Sequence, residues 1–356
     1  MEIGIVERIA DIPPKQFDLL DQTAGAASCY ARIRQKESDG RWRAIYLRCA
    51  DNGCLAAAIP LYTCREREWP NPLYDPRTWE LPQEVSENCT PGQYVLVGSY
   101  ADLRSGLHVA PALRDSRHFR SILAAIAGMA AEQNRGLIFP YVFTAAKAAL
   151  TDAADGRIAW CPLGREARIP DVSDPAWESR LSRSVRYNLR HDKILIASAH
   201  LSHAECAWSD VEGTASELIA SHNIRKGQPD HPEFARMRNG EWDECDAVEL
   251  IVFTARSDSV SGVLTALVWN EDIELYEIGL DGEEGPDRRA AYLDLVFHQP
   301  ISFAQSRKLR NIRLGSMAET PKAGRGAVFQ NLYGGVLDVA DTKRFARPLD
   351  KTQYCP

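Results

Sequence analysis

The densest basic stretch of the chain is Arg180-Leu-Ser-Arg-Ser-Val-Arg-Tyr-Asn-Leu-Arg-His-Asp-Lys193, with five cations against one carboxylate. On a helix, Arg183, Arg186 and Arg190 stand at i, i+3 and i+7 and share one face, while Leu181, Val185 and Leu189 share another. One side packs and the other binds anions. Guanidinium forks pair bidentately with phosphate, which suits a diphosphate or a nucleic-acid backbone. A solvated face paired with scattered carboxylates is the alternative. A second cationic group gathers Arg307, Lys308, Arg310 and Arg313, then Lys322-Ala-Gly-Arg-Gly326. Glycines on both sides of Arg325 allow close backbone approach or a positive φ, so Lys322 and Arg325 can stabilise negative charge developing on a carbonyl or a leaving oxygen. A plain glycine-flanked turn is the other reading.

General acid-base chemistry needs a side chain whose pKa is moved toward the working pH. Glu277, inside the apolar strand pattern Leu275-Tyr-Glu-Ile-Gly279, is the acid-base candidate, because apolar neighbours raise a carboxyl pKa. Tyr276 or the substrate itself can take the same role. Other chemistries lack their residues. His203-Ala-Glu205 opens like a zinc deaminase, but no Pro-Cys-x-x-Cys follows. There is no His-Glu-x-x-His, no Gly-x-Ser-x-Gly and no Walker-type glycine loop, so no metal site is expected. His222 and His231 bracket a loop and are read as lining a substrate edge or facing water.

These groups need a scaffold of strands. Trp42–Cys49 and Cys54–Tyr62 alternate around Asp51-Asn52-Gly53, a hairpin signal. A loop-like stretch over 69–92, a strand at 93–98, a helix at about 117–134 and a strand at 137–143 follow. The second half repeats that order, with strands at 248–254, 261–269 and 273–280, a helix at about 289–307 and a strand at 311–315. The pattern predicts an α/β fold (α+β mixed sheet) with a weak internal duplication: domains at 1–168 and 169–356, joined near 165–172.

Composition sets the outer bounds. Of 356 residues 45% are hydrophobic and 26% charged, and 42 basic against 49 acidic side chains leave a net charge of −7. A polyanion must therefore be met by a local patch. Nine cysteines, none spaced as a zinc or redox pair, read as reduced and mostly buried thiols. No apolar run approaches the ~20 residues of a membrane span. The opening Met-Glu-Ile-Gly-Ile-Val-Glu-Arg lacks a signal-peptide layout, so a cytoplasmic protein without a membrane partner is expected.

The run Phe297-His-Gln-Pro-Ile-Ser-Phe-Ala304, with Leu314-Gly315, Lys322-x-x-Arg-Gly326 and Leu332-Tyr-Gly334, resembles the C-terminal signature of GNAT-superfamily proteins of the Fem-like, peptidoglycan-biosynthesis-like (BioF2-type) kind. Ser182-Arg-Ser-Val-Arg-Tyr-Asn-Leu-Arg190 is similar to the Arg- and Asn-containing helix that opens their second domain, and Gly98-Ser-Tyr-Ala101 and Phe139-Pro-Tyr-Val142 resemble first-domain landmarks. The likeness spans roughly residues 90–337. It implies tandem GNAT-like domains and an aminoacyltransferase or N-acyltransferase. The donor would be an aminoacyl-tRNA used as co-substrate with no bound cofactor, and the acceptor an amine of a small natural product or peptide precursor. Lys322 would sit near the reacting ester, with Glu277 and Tyr276 as the acid-base candidates. Arg183, Arg186, Asn188, Arg190, Arg325 and Gly326 would hold the acceptor end of the charged tRNA, in a monomer or weak dimer.

One stretch departs from an acyl-CoA site. Where backbone N–H groups would cradle pyrophosphate stands Asp281-Gly-Glu-Glu-Gly-Pro-Asp-Arg-Arg289, whose carboxylates are expected to repel it. An acyl-CoA donor is therefore the second choice, and a non-catalytic GNAT-like module binding a nucleotide or RNA is the third.

Overall fold

The computed structural model describes residues 2–21, 23–114 and 116–346. Cys355 and the last ten residues of the expected second domain lie outside them. In chain order the elements are β1 (Glu2–Val6), α1 (Pro14–Phe17), α2 (Tyr30–Lys36), β2 (Trp42–Asp51), β3 (Cys54–Cys64), α3 (Gln83–Ser86), β4 (Tyr94–Val97), α4 (Ser116–Glu132), β5 (Gly136–Phe143), α5 (Thr144–Ala153) and β6 (Ala159–Ile169). Then come α6 (Trp177–Arg180), α7 (Arg183–Ser198), β7 (Ser202–Cys206), α8 (Trp208–Arg225), α9 (Pro232–Asp243), β8 (Glu249–Arg256), β9 (Ser261–Trp269) and β10 (Asp272–Leu280). The chain continues through α10 (Pro286–Leu293), a π-helical turn at Asp294–His298, α11 (Gln299–Arg307), β11 (Asn311–Gly315), α12 (Glu319–Ala323), β12 (Val328–Leu337) and α13 (Val339–Phe345).

The chain forms two compact units, one from Met1–Gly164 with the segment from Gln330 on, the other from Arg165–Phe329. The division expected from sequence is 1–168 and 169–356, whereas the segment from Gln330 on groups with the first unit. Beyond Gln330 the chain returns to the first unit because β12 pairs antiparallel with β5, Leu332 opposite Phe143 and Leu337 opposite Leu137.

In the first unit, β1 to β4 pair antiparallel in sequence, and β4 then runs parallel to β5 across α4. The β2–β3 turn has Asn52 and Gly53 both at positive φ, the backbone a tight two-residue hairpin needs. In the second unit, β7, β8, β9 and β10 pair antiparallel, and β10 is parallel to β11. The helix between the parallel strands (α4, or α10 with α11) is apolar on the face it turns to its own sheet. Both copies of the predicted order are therefore present. The predicted helix at 289–307 starts three residues early, at Pro286, whose fixed φ suits a first helical position.

Cys54 is exposed and Cys206 half-buried; the other described cysteines are buried free thiols. No helix among the described residues is long and apolar enough to cross a membrane.

Candidate functional site in the second unit

Strands β10 and β11 pair only where Asp272, Ile273 and Glu274 face Asn311, Ile312 and Arg313. Beyond Glu274, β10 stays with β9 to Leu280, whereas β11 ends at Gly315. The parallel pair therefore opens toward its C-terminal ends. At the closed end Arg313 is buried between Glu166 (3.1 Å) and Asp272 (2.7 Å), a pairing that offsets the cost of burying its charge.

At the open end the register of β10 slips between Leu275 and Glu277, so Tyr276 is the extra residue of a β-bulge. Thr265 Oγ1 accepts from the Glu277 N–H at 3.1 Å and secures the bulge. Tyr276 packs edge-on against Trp242 of α9, with ring centroids 5.9 Å apart. Glu277 accepts from Arg238 Nε at 2.8 Å and from Asn239 Nδ2 at 2.6 Å, both also on α9. Burial pushes its carboxyl pKa up, with the Arg238 guanidinium opposing.

Two residues further on, Gly279 lies against the backbone of α8. A Cβ there would lie 2.5 Å from Ile219 N and 2.6 Å from Leu218 C, both backbone atoms. Lacking one, the strand lets α8 lie against it, and the helix's last turn falls over Leu280. Arg225 there donates to the Leu280 carbonyl and pairs with Asp281 at 2.8 Å.

The result is a cavity of about 670 Å³ lined by His222, Arg225, Lys226, Leu280, Glu284, Gly285, Arg288, Arg289 and Tyr292. The first turn of α10 opens onto it, so helix N–H groups add partial positive charge to the four cations. Three of the four carboxylates expected to repel a pyrophosphate are paired: Asp281 with Arg225, Glu284 with Arg288, and Asp287 accepts from Ser259 Oγ at 2.6 Å. Lys226 and Arg289 have no carboxylate partner among the described residues. His222 is buried, and no hydrogen bond of good geometry reaches either ring nitrogen. Burial, with Lys226 next, pushes its pKa down to about 4.

The residues singled out from sequence are distributed differently. Lys322 is buried in α12, and its ammonium donates to the carbonyls of Leu314 (2.7 Å), Gly315 (3.1 Å) and Ser316 (2.8 Å), fixing the end of β11. Burial draws its pKa down to about 8, with Glu166 opposing and Lys226 adding to the fall. Arg325 forms a fork with Asp192 of α7, both contacts at 2.8 Å, and lies over the Phe297 ring. Against the upward push of burial, His298 and Arg325 hold the Asp192 carboxyl at about 2.

Asn188 donates to the Gly324 carbonyl at 3.0 Å. Gly326 has φ +89°, and a Cβ there would sit 3.0 Å from Leu181. Asn188, Asp192, Arg325 and Gly326 thus join α7 to the 322–326 turn. Arg186 folds back onto the carbonyls of Ser179 (2.9 Å) and Leu181 (3.0 Å), while Arg183 and Arg190 are exposed. None of these residues lines the 670 Å³ cavity. Of the rest of the second cationic group, Arg307 pairs with Glu249 at 2.7 Å and Arg310 with Asp171 at 2.9 Å.

Of the two bracketing histidines, His222 lines the cavity, and His231 instead caps α9, accepting from the Glu233 N–H at 3.3 Å. Sequence reasoning passed over Arg225, Lys226, Arg288 and Arg289. The available signals were the basic end of α8 and the Arg pair after Gly285-Pro286. No group of three or more His, Cys, Asp or Glu side chains able to hold a metal occurs among the described residues.

No protein-family model matches the chain, and no curated protein matches it. Solved structures do. FemX superposes with a TM-score of 0.61 at 9% identity, over 92% of this chain and 96% of that one. A conserved protein of unknown function from Bacteroides thetaiotaomicron gives 0.56 at 8%, over 94% and 100%. A tandem GNAT protein from the clavulanic acid biosynthesis pathway gives 0.51 at 12%, over 95% and 98%. The fold is therefore the tandem GNAT, Fem-like fold, as the sequence resemblance implied.

Proposed function

We propose that the protein is an acyltransferase that forms an amide bond, passing an aminoacyl group from a charged tRNA to an amine of a small natural product or peptide precursor. The observation carrying this reading is the cation-lined cavity beyond the end of β10, in a chain of net charge −7. A donor whose acyl ester rides on a phosphate-rich carrier is the substrate chemistry such a wall favours. In the reaction the amine nitrogen attacks the ester carbonyl, a C–N bond forms, the ester C–O bond breaks and the ribose oxygen leaves with a proton. Glu277, its carboxyl pKa raised by burial, takes the proton the amine gives up and passes it to the leaving ribose oxygen; Tyr276 or the substrate is the alternative relay. Lys322 acts by position, holding the carbonyls of 314–316 beside the reacting ester.

An acyl-CoA donor is the second reading. The pairing of Asp281 and Glu284 with arginines favours it, because the loop then presents less negative charge to a pyrophosphate. Incubation with bulk charged tRNA and candidate amines, read by mass spectrometry, decides between them. The expected result is an amide product, formed about 100-fold more slowly by Glu277→Gln. Consumption of acetyl-CoA with charged tRNA untouched selects the second reading. If neither donor is consumed although RNA or nucleotide binds, the protein is a binding module.

A further inference from the structure

Both oxygens of the Glu277 carboxylate are occupied by donors fixed on α9. Arg238 meets Oε1 through Nε at 2.8 Å and Nη2 at 2.7 Å, and Asn239 Nδ2 meets Oε2 at 2.6 Å. The same guanidinium also faces Asp230, with Nη1 at 3.0 Å from Oδ1 and Nη2 at 2.7 Å from Oδ2. Two carboxylates share one cation. Asp230 in turn accepts from Asn223 Nδ2 of α8 at 2.7 Å and from the His231 N–H at 2.9 Å. Against the upward push of burial, Arg238 and Asn223 hold its carboxyl at about 2. Asn223 stands in the last turn of α8 between His222 and Arg225, two residues of the cavity wall. The contacts therefore run unbroken from that wall to Glu277.

We infer that Arg238 and Asp230 are positioning residues: the guanidinium, anchored on Asp230, holds Glu277 ionised and in one orientation to receive the proton of the acceptor amine. The inference rests on the proposed role of Glu277 and deepens it. A buried carboxyl without a cation keeps its proton and cannot act as a base. An unshared arginine has the opposite fault, as Asp192 shows: Arg325 forks onto it and, with His298, holds its carboxyl at about 2. A carboxylate bound that firmly is a poor base. Arg238 and Asp230 are the charged groups that act on Glu277, the first lowering its pKa and the second raising it, while β9 contributes the uncharged Thr265 at its N–H. Sharing one guanidinium between two carboxylates sets Glu277 between the two extremes.

The test has two readouts on the full chain: the acid limb of kcat with bulk charged tRNA and an amine, and the infrared band of the protonated Glu277 carboxyl, assigned by its loss in Glu277→Gln. Arg238→Gln removes the attraction, so the limb and the band midpoint should both rise by about one pH unit, a loss of about tenfold in kcat along the limb. Asp230→Asn removes the opposing charge, and both should move down instead. Arg238→Lys keeps a charge beside Glu277 without the fork. The midpoint should then return to that of the unsubstituted chain while kcat stays about tenfold low from lost orientation, with KM for the donor unchanged. A merely structural role would lower stability in urea melts without opposite movements of the titration. Midpoints that stay put in folded variants, or that move the same way for Arg238→Gln and Asp230→Asn, overturn the inference. Opposite band shifts without any turnover leave the positioning standing and sink the aminoacyl-transfer reading. Normal turnover with an unmoved limb and band sinks the positioning alone.

Discussion

After β4 the first unit turns through Gly98 at φ +96°, and after β10 the second turns through Gly282 at φ +95°. The two turns follow corresponding strands of a duplicated plan, and what comes next differs. In the first unit the chain folds back into the protein: Asp102 meets Lys36 at 2.5 Å and Arg32 at 3.5 Å. Leu103 N–H donates to Tyr74 Oη at 2.9 Å, and Leu107 N–H to Asp21 Oδ2 at 3.1 Å. In the second unit the loop is held at its edge by Asp281 and Arg225, and α10 begins over an open cavity. The same strand end is stitched shut by a buried ion cluster in one copy and left open with cations in the other. The comparison assigns stability to the first turn and ligand contact to the second.

The largest expected effect tests the stitched copy. Lys36→Met strands Asp102 in the interior with its charge poorly matched, and should cost about 3–5 kcal/mol of unfolding free energy in urea melts. A loss under about 1 kcal/mol would remove the structural assignment. Next, Arg225→Ala with Lys226→Ala should weaken donor binding about 100-fold, or about 2.7 kcal/mol. Arg120→Ala with Arg344→Ala, made in the cation-bearing cavity of the first unit, should change it less than twofold. Equal effects from both pairs would mean that net charge matters and the cavity does not.

Each unit also holds a buried histidine at pKa about 4, His108 in the first and His222 in the second, burial being the main cause. Both folded values lie below the unfolded 6.5, so the unfolded chain takes up more protons between pH 6.5 and 4. Stability is complete above 6.5 and falls as pH drops through that window. At His108 Asp21 opposes the effect of burial, and His108→Gln should flatten that part of the urea-melt profile. Smallest is Gly279→Ala, where the added methyl meets the α8 backbone and strain of about 1–2 kcal/mol is expected. Donor affinity should fall with it, as the last turn of α8 is displaced.

Much of this was legible in the sequence. The hairpin at 42–62, the strand–helix–strand order of both copies and the amphipathic face of α7 follow from local periodicity. The fates of individual cations did not. Arg325 looks free in its glycine-flanked turn, yet its partner Asp192 lies 133 residues away. Lys322 resembles a charge stabiliser, but its donors are spent on three strand-end carbonyls. The loop 281–287 reads as anionic until Arg225, 56 residues earlier, is folded against Asp281. Composition counts charges, and only the packing of α8 on Gly279 decides which remain available to a ligand.

The most direct test of the open second-unit cavity is hydrogen–deuterium exchange with and without a non-hydrolysable, amide-linked aminoacyl-tRNA. Protection is predicted at 219–226 and 281–293, with exchange at 98–109 unchanged. Protection at 98–109 while 281–293 exchanges freely would contradict it.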